Sequence, residues 1–183
     1  PYLENYNTEN GTDLASAGAI HFEPMGLYAG KSSDITNVPD GAKIAVPSDA
    51  TNEARALLLL QDQGVIKLTD GVGLEATAND IVENPHNVEL VEVEAAAVPR
   101  SLQDADFGVI NGNYALSAGL DTSATLASED ADSEAAQTYA NIVAVRNGDE
   151  DSEKTQALLK ALTSDTARKF IEDTYKGSVI PVF

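Results

Sequence analysis

Residues 43–63, KIAVPSDATNEARALLLLQDQ, constrain the fold of this chain more than any other segment. A short apolar strand stops at Pro47, and Asp49 and Thr51 belong to the residue types that favour the first position of a helix. Such a helix start leaves backbone N–H groups without partners and carries a partial positive charge. Arg55 falls in or just after the first turn, so the segment predicts a site for a small carboxylate. An ordinary strand–helix unit with an exposed arginine explains the same pattern, and both interpretations stay open here.

Strand-like and helix-like segments alternate along the chain, which is typical of an α/β fold. The predicted strands are 19–31 with a break at Pro24, 43–46, 65–68, 88–93, 107–111 and 138–146. The predicted helices are 52–63, 74–82, 101–105 and two near the end of the chain, with Ser152 and Ser164 as their N-caps. Residues 121–137 are small and acidic and predict a surface loop or linker. The pattern indicates a middle α/β lobe between two outer segments that belong together.

The charge of the chain restricts its partners. Acidic residues number 30 against 11 basic residues, which gives a net charge of −19. This balance argues against binding of nucleic acid or of an anionic membrane surface through the fold itself. The favoured interpretation of the acidic excess is that it only keeps the protein soluble. No apolar run approaches the roughly 20 residues of a spanning helix, so we predict no membrane-spanning segment.

Motifs for enzymes, cofactors and metals are weak. Residues 70–76, DGVGLEA, match G-x-G-x-x-A, but the preceding strand is short and follows a helix, so a glycine-rich turn is favoured over a dinucleotide site. His21 and His86 have no zinc-ligand partner at a suitable spacing, and the chain has no cysteine. No G-x-S-x-G elbow is present. We therefore predict no cofactor, no metal site and no enzymatic activity.

Two asparagines stand at predicted strand ends. Asn111 ends the strand DFGVIN, and Asn141 begins the strand NIVAV. Amides at strand ends can bind the amine and carboxylate of a zwitterion in a cleft. The alternative is that each amide closes its own turn.

Several segments together resemble the NlpA-type methionine-binding lipoproteins, the substrate-binding components of methionine ABC importers. They are PYLENYN, HFEPMGLYAG, the run from residue 43 to DGVGL, DIVENPHNVELVEVEAAAVPRSL, GVINGNYA and TYANIVAVR. The resemblance covers nearly the whole chain and implies a two-lobed, type II periplasmic-binding-protein fold that closes over its ligand. The implied lobes are residues 1–23 with 138–183, and residues 24–137, with hinges near 22–24 and 136–140.

The resemblance also implies roles for single residues. Arg55 matches the arginine that clamps the ligand carboxylate, with Asn52 beside it at the helix start. Asn111 matches the strand-end asparagine of the far lobe, and Asn141 matches the hinge asparagine that holds the amino-acid backbone. Tyr2 lies in the P-Y-L element and is expected to line the side-chain pocket.

This chain departs from the family pattern in two ways. Glu23 replaces an aromatic residue of some members, which changes the polarity near the hinge. The family's mature proteins carry an N-terminal segment before the position of Pro1, with the lipid-attachment cysteine, the opening units of the first lobe and part of the thioether pocket. We therefore expect this chain alone to fold poorly or bind weakly unless another chain supplies those elements.

The function implied is that of an extracytoplasmic, lipid-anchored solute-binding protein that captures L-methionine or a close analogue and delivers it to an ABC transporter permease. Its only membrane attachment would be the lipid anchor on that further segment. One alternative keeps the fold and binds another amino acid or a short peptide. The other is a surface interaction protein without ligand binding.

Overall fold

A computed structural model describes residues 2–130 and 138–183, and the chain divides into two compact units. Unit 1 comprises Pro1–Pro24 and Asp130–Phe183, and unit 2 comprises Met25–Glu129. The predicted second lobe boundary falls between residues 137 and 138, and the predicted second hinge at 136–140. Residues 131–137 lie outside the described residues, so both remain predictions.

The strands and helices are numbered in chain order. The strands are β1 (Ala15–Phe22), β2 (Met25–Ala29), β3 (Lys43–Pro47), β4 (Lys67–Leu68), β5 (Ile81–Glu83), β6 (Glu89–Val93), β7 (Phe107–Asn111), β8 (Ala127–Ser128), β9 (Asn141–Val145) and β10 (Ile180–Pro181). The helices are α1 (Tyr2–Asn10), α2 (Ala50–Asp62), α3 (Val98–Ser101), α4 (Gly112–Ser117), α5 (Glu153–Leu162) and α6 (Asp165–Tyr175). No helix among the described residues is long and apolar enough to cross a membrane.

Unit 2 is built on a five-stranded mixed sheet in the order β6-β3-β7-β2-β8. Strand β3 runs parallel to β6 and β7, whereas β2 runs antiparallel to β7 and β8. Successive side chains of β3 enter different clusters: Ile44 and Val46 join the core that contains α2, and Ala45 joins the core that contains Val98 of α3. Both faces of the sheet are therefore covered, as expected where strands are largely apolar.

Four strands of this sheet end at the same edge. Because β3, β6, β7 and β8 run in the same direction, they all finish there, and β2 begins there. Met25 at the start of β2 is paired in register with Asn111 at the end of β7. We call this the carboxyl edge of unit 2. In open α/β sheets ligands bind at such an edge.

Unit 1 contains a three-stranded antiparallel sheet in the order β10-β1-β9, together with α1, α5 and α6. Ser152 caps α5 and Ser164 caps α6 through their side chains, which confirms both predicted N-caps. Its described part buries few apolar side chains, namely Ile20, Phe22 and Val179.

Two predicted helices are wrong. Residues 74–82 form two short 3-10 turns, Gly73–Glu75 and Ala78–Asp80, followed by β5. Thr77 and Asp80 make a reciprocal capping box, which starts a new turn in the middle of the predicted helix, and β5 then pairs with β4. The helix predicted at 101–105 lies earlier, at α3, because Pro99 occupies its first turn, where a missing N–H is tolerated.

Candidate functional site

The first turns of α2 bring polar side chains to the carboxyl edge. Helix α2 follows β3 directly and begins after Asp49, whose side chain accepts a hydrogen bond from the backbone N–H of Asn52 at 3.1 Å. Arg55 lies one turn further on and is only 7% exposed. The arginine is therefore not exposed, whereas the alternative of an ordinary strand–helix unit expected it to be.

Arg55 is held by a carboxylate that the sequence analysis missed. Its Nε donates to Glu129 Oε1 at 2.9 Å, and its Nη2 donates to Glu129 Oε2 at 2.5 Å. Both side chains are buried, at 7% and 9% exposure. Glu129 follows β8 and is fixed in turn by Met25, whose backbone N–H donates to Oε2 at 2.8 Å. A bidentate pair of this kind fixes the plane and the direction of the guanidinium.

A chain of amide hydrogen bonds lies beside this ion pair. The carboxylate of Asp49 accepts from Asn52 Nδ2, at 2.9 and 3.0 Å. Asn52 Oδ1 therefore points the other way, where it accepts from Asn111 Nδ2 at 2.7 Å and from Arg55 Nη1 at 3.4 Å. Because a carboxylate only accepts, the orientation of both amides follows from Asp49.

This chain of hydrogen bonds leaves one acceptor atom without a partner. Asn111 Oδ1 is buried and has no hydrogen-bond partner among the residues that the structure describes. Nearly all buried polar atoms in proteins are paired, so an unpartnered one at the carboxyl edge indicates a missing donor. The carboxyl edge thus presents a guanidinium and, through Asn52, a neighbouring acceptor oxygen. Together they suit a small molecule with a carboxylate next to an ammonium group.

Glu53 lies on the same helix turn but faces inwards. It is 9% exposed, and one carboxylate oxygen accepts from the backbone N–H of Ala78 at 3.0 Å. Burial raises the pKa of Glu53, and the nearby charges of Glu92 and Asp49 raise it further, whereas the hydrogen bond from Ala78 lowers it. Glu53 therefore connects α2 to the turn at 78–80 and is a structural residue.

The structure brings three of the five predicted ligand residues together. Arg55, Asn52 and Asn111 form one hydrogen-bonded group in unit 2. Asn141 and Tyr2 belong to unit 1: Asn141 begins β9 in register with His21, and Tyr2 is 73% exposed on α1. The roles of all five in ligand binding remain predictions.

Two further residue expectations concern Glu23 and the D-G-V-G segment. Glu23 lies beside His21, with Oε1 at 3.0 Å from Nε2. Gly71 and Gly73 have φ values of 79° and 54°, so the segment is a tight turn that leads into a 3-10 turn rather than into a helix. A dinucleotide fingerprint needs a helix start at that point, which agrees with the preference for a glycine-rich turn. The described residues contain no cluster of side chains suited to a metal ion.

Comparison with known proteins decides the family. A family model described as NlpA lipoprotein matches residues 1–183. The chain belongs to the NlpA lipoprotein family. The D-methionine-binding lipoprotein MetQ of Salmonella typhimurium is 39% identical over 183 residues, which cover 98% of this chain and 66% of that protein. The chain thus spans about two thirds of the length of this curated relative.

Solved structures show the same fold. A nutrient-binding protein from Burkholderia cenocepacia, bound to methionine, is 43% identical with a TM-score of 0.92, over 100% of this chain and 76% of that one. A lipoprotein from Ruminococcus gnavus is 57% identical with a TM-score of 0.95, over 100% and 76% of the two chains. The predicted α/β fold of the periplasmic substrate-binding proteins is confirmed.

Proposed function

We propose that this chain is the ligand-binding part of an extracytoplasmic solute-binding protein that captures methionine or a close analogue for an ABC importer. The observation that carries the proposal is the arrangement at the carboxyl edge of unit 2. There, buried Arg55 and the unpartnered oxygen of Asn111 are joined through Asn52.

The proposed ligand contacts follow from the polarity of these groups. Glu129 accepts from Nε and Nη2 of the Arg55 guanidinium, and the proposed contact of a ligand carboxylate is with Nη1, beside Asn52. The ammonium group of the ligand would donate to Asn111 Oδ1. An α-amino acid carries these two groups on one carbon, and Asn52 Oδ1 accepts hydrogen bonds from both Arg55 and Asn111.

The identity of the side chain is inferred from relatives. The Salmonella relative is named a D-methionine-binding lipoprotein, and the Burkholderia structure contains methionine. At 39–43% identity over nearly the whole chain, methionine is the first ligand to test. We propose that Asn141 holds the backbone of the amino acid and that Tyr2 lines the side-chain pocket.

The proposed role is binding and delivery, with no covalent step. Relatives are named membrane or outer membrane lipoproteins, so we propose that the protein is lipid-anchored and extracytoplasmic, with an ABC permease as its partner. The affinity then follows from an ion pair, amide contacts and apolar burial. Such an apolar pocket separates methionine from leucine-like ligands by only about 1–3 kcal/mol, so weak binding of analogues is expected.

A ligand screen tests this function. The intact protein is unfolded and refolded to remove carried-over ligand, and its melting temperature is measured with each of the twenty amino acids and both methionine enantiomers. Ligand at about 1,000 times its dissociation constant adds roughly 4 kcal/mol of stability. A large shift with methionine supports the proposal. A shift with another solute reassigns the ligand, and no shift with any of them overturns the receptor function.

A further inference from the structure

The ion pair between Arg55 and Glu129 has a consequence for ligand choice. A receptor for simple carboxylates gains affinity from an arginine whose charge is not neutralised. Here the arginine already has a buried counter-ion in two-point contact, at 2.9 and 2.5 Å. We propose that Glu129 is a specificity-determining residue that makes the carboxyl edge select zwitterions over simple carboxylic acids. This inference rests on the proposed function.

The position of Glu129 is fixed from several sides. Its two oxygens accept from Arg55 Nε and Nη2, and Oε2 also accepts from the Met25 N–H at 2.8 Å. The backbone N–H of Glu129 donates to the carbonyl oxygen of Met25 at 3.0 Å. With 9% exposure, the carboxylate is screened little by water or salt. Its charge therefore acts on any group that binds on the other side of the guanidinium.

The charges at the carboxyl edge explain the proposed selectivity. A guanidinium is small, so a ligand carboxylate on its Nη1 side would lie within about 6 Å of the Glu129 carboxylate, where like charges repel. Asp49 adds a second negative charge near Asn52. A ligand with only a carboxylate meets this repulsion without compensation. A zwitterion also brings an ammonium group. Glu129 and Asp49 attract this group, and Asn111 Oδ1 accepts a hydrogen bond from it.

Three ligands of nearly the same shape separate these effects. L-methionine is neutral overall, its desamino analogue methylthiobutanoate carries only the carboxylate, and L-methioninamide carries only the ammonium group. Calorimetric titration gives the dissociation constant of each for the wild-type protein and for Glu129→Gln. The ratio of two dissociation constants measured on one variant is independent of how stably that variant folds.

We expect the three affinities to move in different directions in Glu129→Gln. The affinity for the desamino analogue should rise by about tenfold or more relative to the affinity for methionine, because this ligand loses only a repulsion. The affinity for methioninamide should fall relative to the affinity for methionine, because this ligand loses only an attraction. If Glu129 only supports the structure, all three affinities fall together and their ratios stay as in the wild type.

Two variants serve as controls. Glu83→Gln makes the same change at an exposed ion pair with Lys67, away from the edge, and should leave the ratios unchanged. Glu129→Asp keeps the negative charge, so it should keep the wild-type order of the three ligands even where every affinity falls. If Glu129→Gln does not fold, a changed order in Glu129→Asp would overturn the inference.

The outcomes also distinguish the two proposals. If the wild-type protein binds none of the three ligands, the proposed function fails, and this inference fails with it. If the wild type binds methionine and the ratios in Glu129→Gln match those of the wild type, the function stands and the role of Glu129 is wrong.

Discussion

Asn111 combines two properties that seldom occur together in a residue kept only for structure. It is buried, and its amide oxygen has no partner among the described residues. An unsatisfied buried acceptor costs about 1–3 kcal/mol of folding free energy. A residue that lowers stability in this way is expected where a ligand supplies the missing donor.

The variant Asn111→Leu separates binding from stability. We expect its unfolding free energy without ligand to stay within about 1 kcal/mol of the wild-type value. The substitution removes the unpartnered oxygen, and Asn52 Oδ1 still accepts the hydrogen bond from Arg55 Nη1. Methionine affinity should fall at least about tenfold, because the ammonium group loses its acceptor. Urea denaturation and calorimetry measure the two quantities.

Asn84 provides the matched control, because its Nδ2 and its Oδ1 both bond to the backbone of Val88, at 3.0 and 2.8 Å. Asn84→Leu should lower stability and leave the affinity unchanged. If Asn111→Leu is the more destabilised of the two and still binds methionine, the amide is structural.

Local sequence patterns predicted some residues of the candidate site and not others. Arg55 and Asn111 were singled out because a helix start and a strand end are visible in a few consecutive residues, whereas Asn52 came from the family resemblance. Glu129 was missed because its partner Arg55 lies 74 residues away and its own segment is small and acidic, which is typical of a linker. The only available signal was the pair Leu126 and Ala127, which packs against the core just before it.

At the scale of elements, α2 is held at its start by a cap and along its side by Glu53. The folded protein raises the pKa of Glu53, chiefly through burial, so the folded state binds the proton more tightly than the unfolded chain. Its contribution to stability is therefore greatest below the ordinary pKa of 4.5 and is lost as the pH rises through the folded value.

The variant Glu53→Gln tests the direction of this pH dependence. Glutamine keeps an oxygen that can accept from the Ala78 N–H but carries no charge to bury. We expect Glu53→Gln to be more stable than the wild type at pH 7, with a difference that shrinks as the pH falls towards 4. Urea denaturation at the two pH values measures it. A difference that grows on acidification would contradict the assignment.

Strands β3, β6 and β7 of unit 2 were predicted closely, because their apolar runs are short and bounded by turn residues, whereas β8 lies in the segment predicted as a surface loop. Strand β7 was predicted with the observed bounds, Phe107–Asn111. The segment 74–82 failed because apolar spacing alone does not reveal the capping box between Thr77 and Asp80. Strand β5 depends on pairing with β4, which local sequence does not show.

At the scale of the whole molecule, the two units differ in their cores. The core of unit 2 includes strands β3 and β7, whose inward side chains Ile44, Phe107 and Val109 are fully buried. The described part of unit 1 leaves large apolar side chains partly exposed, among them Leu158 at 47% and Phe170 at 61%. Local stability follows the amount of buried apolar contact, so the units should differ in their opening free energy.

Amide hydrogen exchange measures that difference. In the absence of ligand, we expect amides of β3 and β7 to exchange at least about tenfold more slowly than those of β1 and β9. Peptide-resolved exchange followed by mass spectrometry resolves the four strands. Equal protection in both units would show that unit 1 is stabilised by more than its described core.

The proposed function requires that the carboxyl edge of unit 2 bind an amino acid through Arg55. Calorimetric titration of methionine into the refolded wild type, Arg55→Gln and the exposed-site control Arg100→Gln tests it most directly. Removing one partner of a buried charged contact costs about 2–5 kcal/mol, so Arg55→Gln should weaken binding by roughly thirtyfold or more. Arg100→Gln should match the wild type. If folded Arg55→Gln binds methionine as tightly as the wild type does, the edge is not the ligand site.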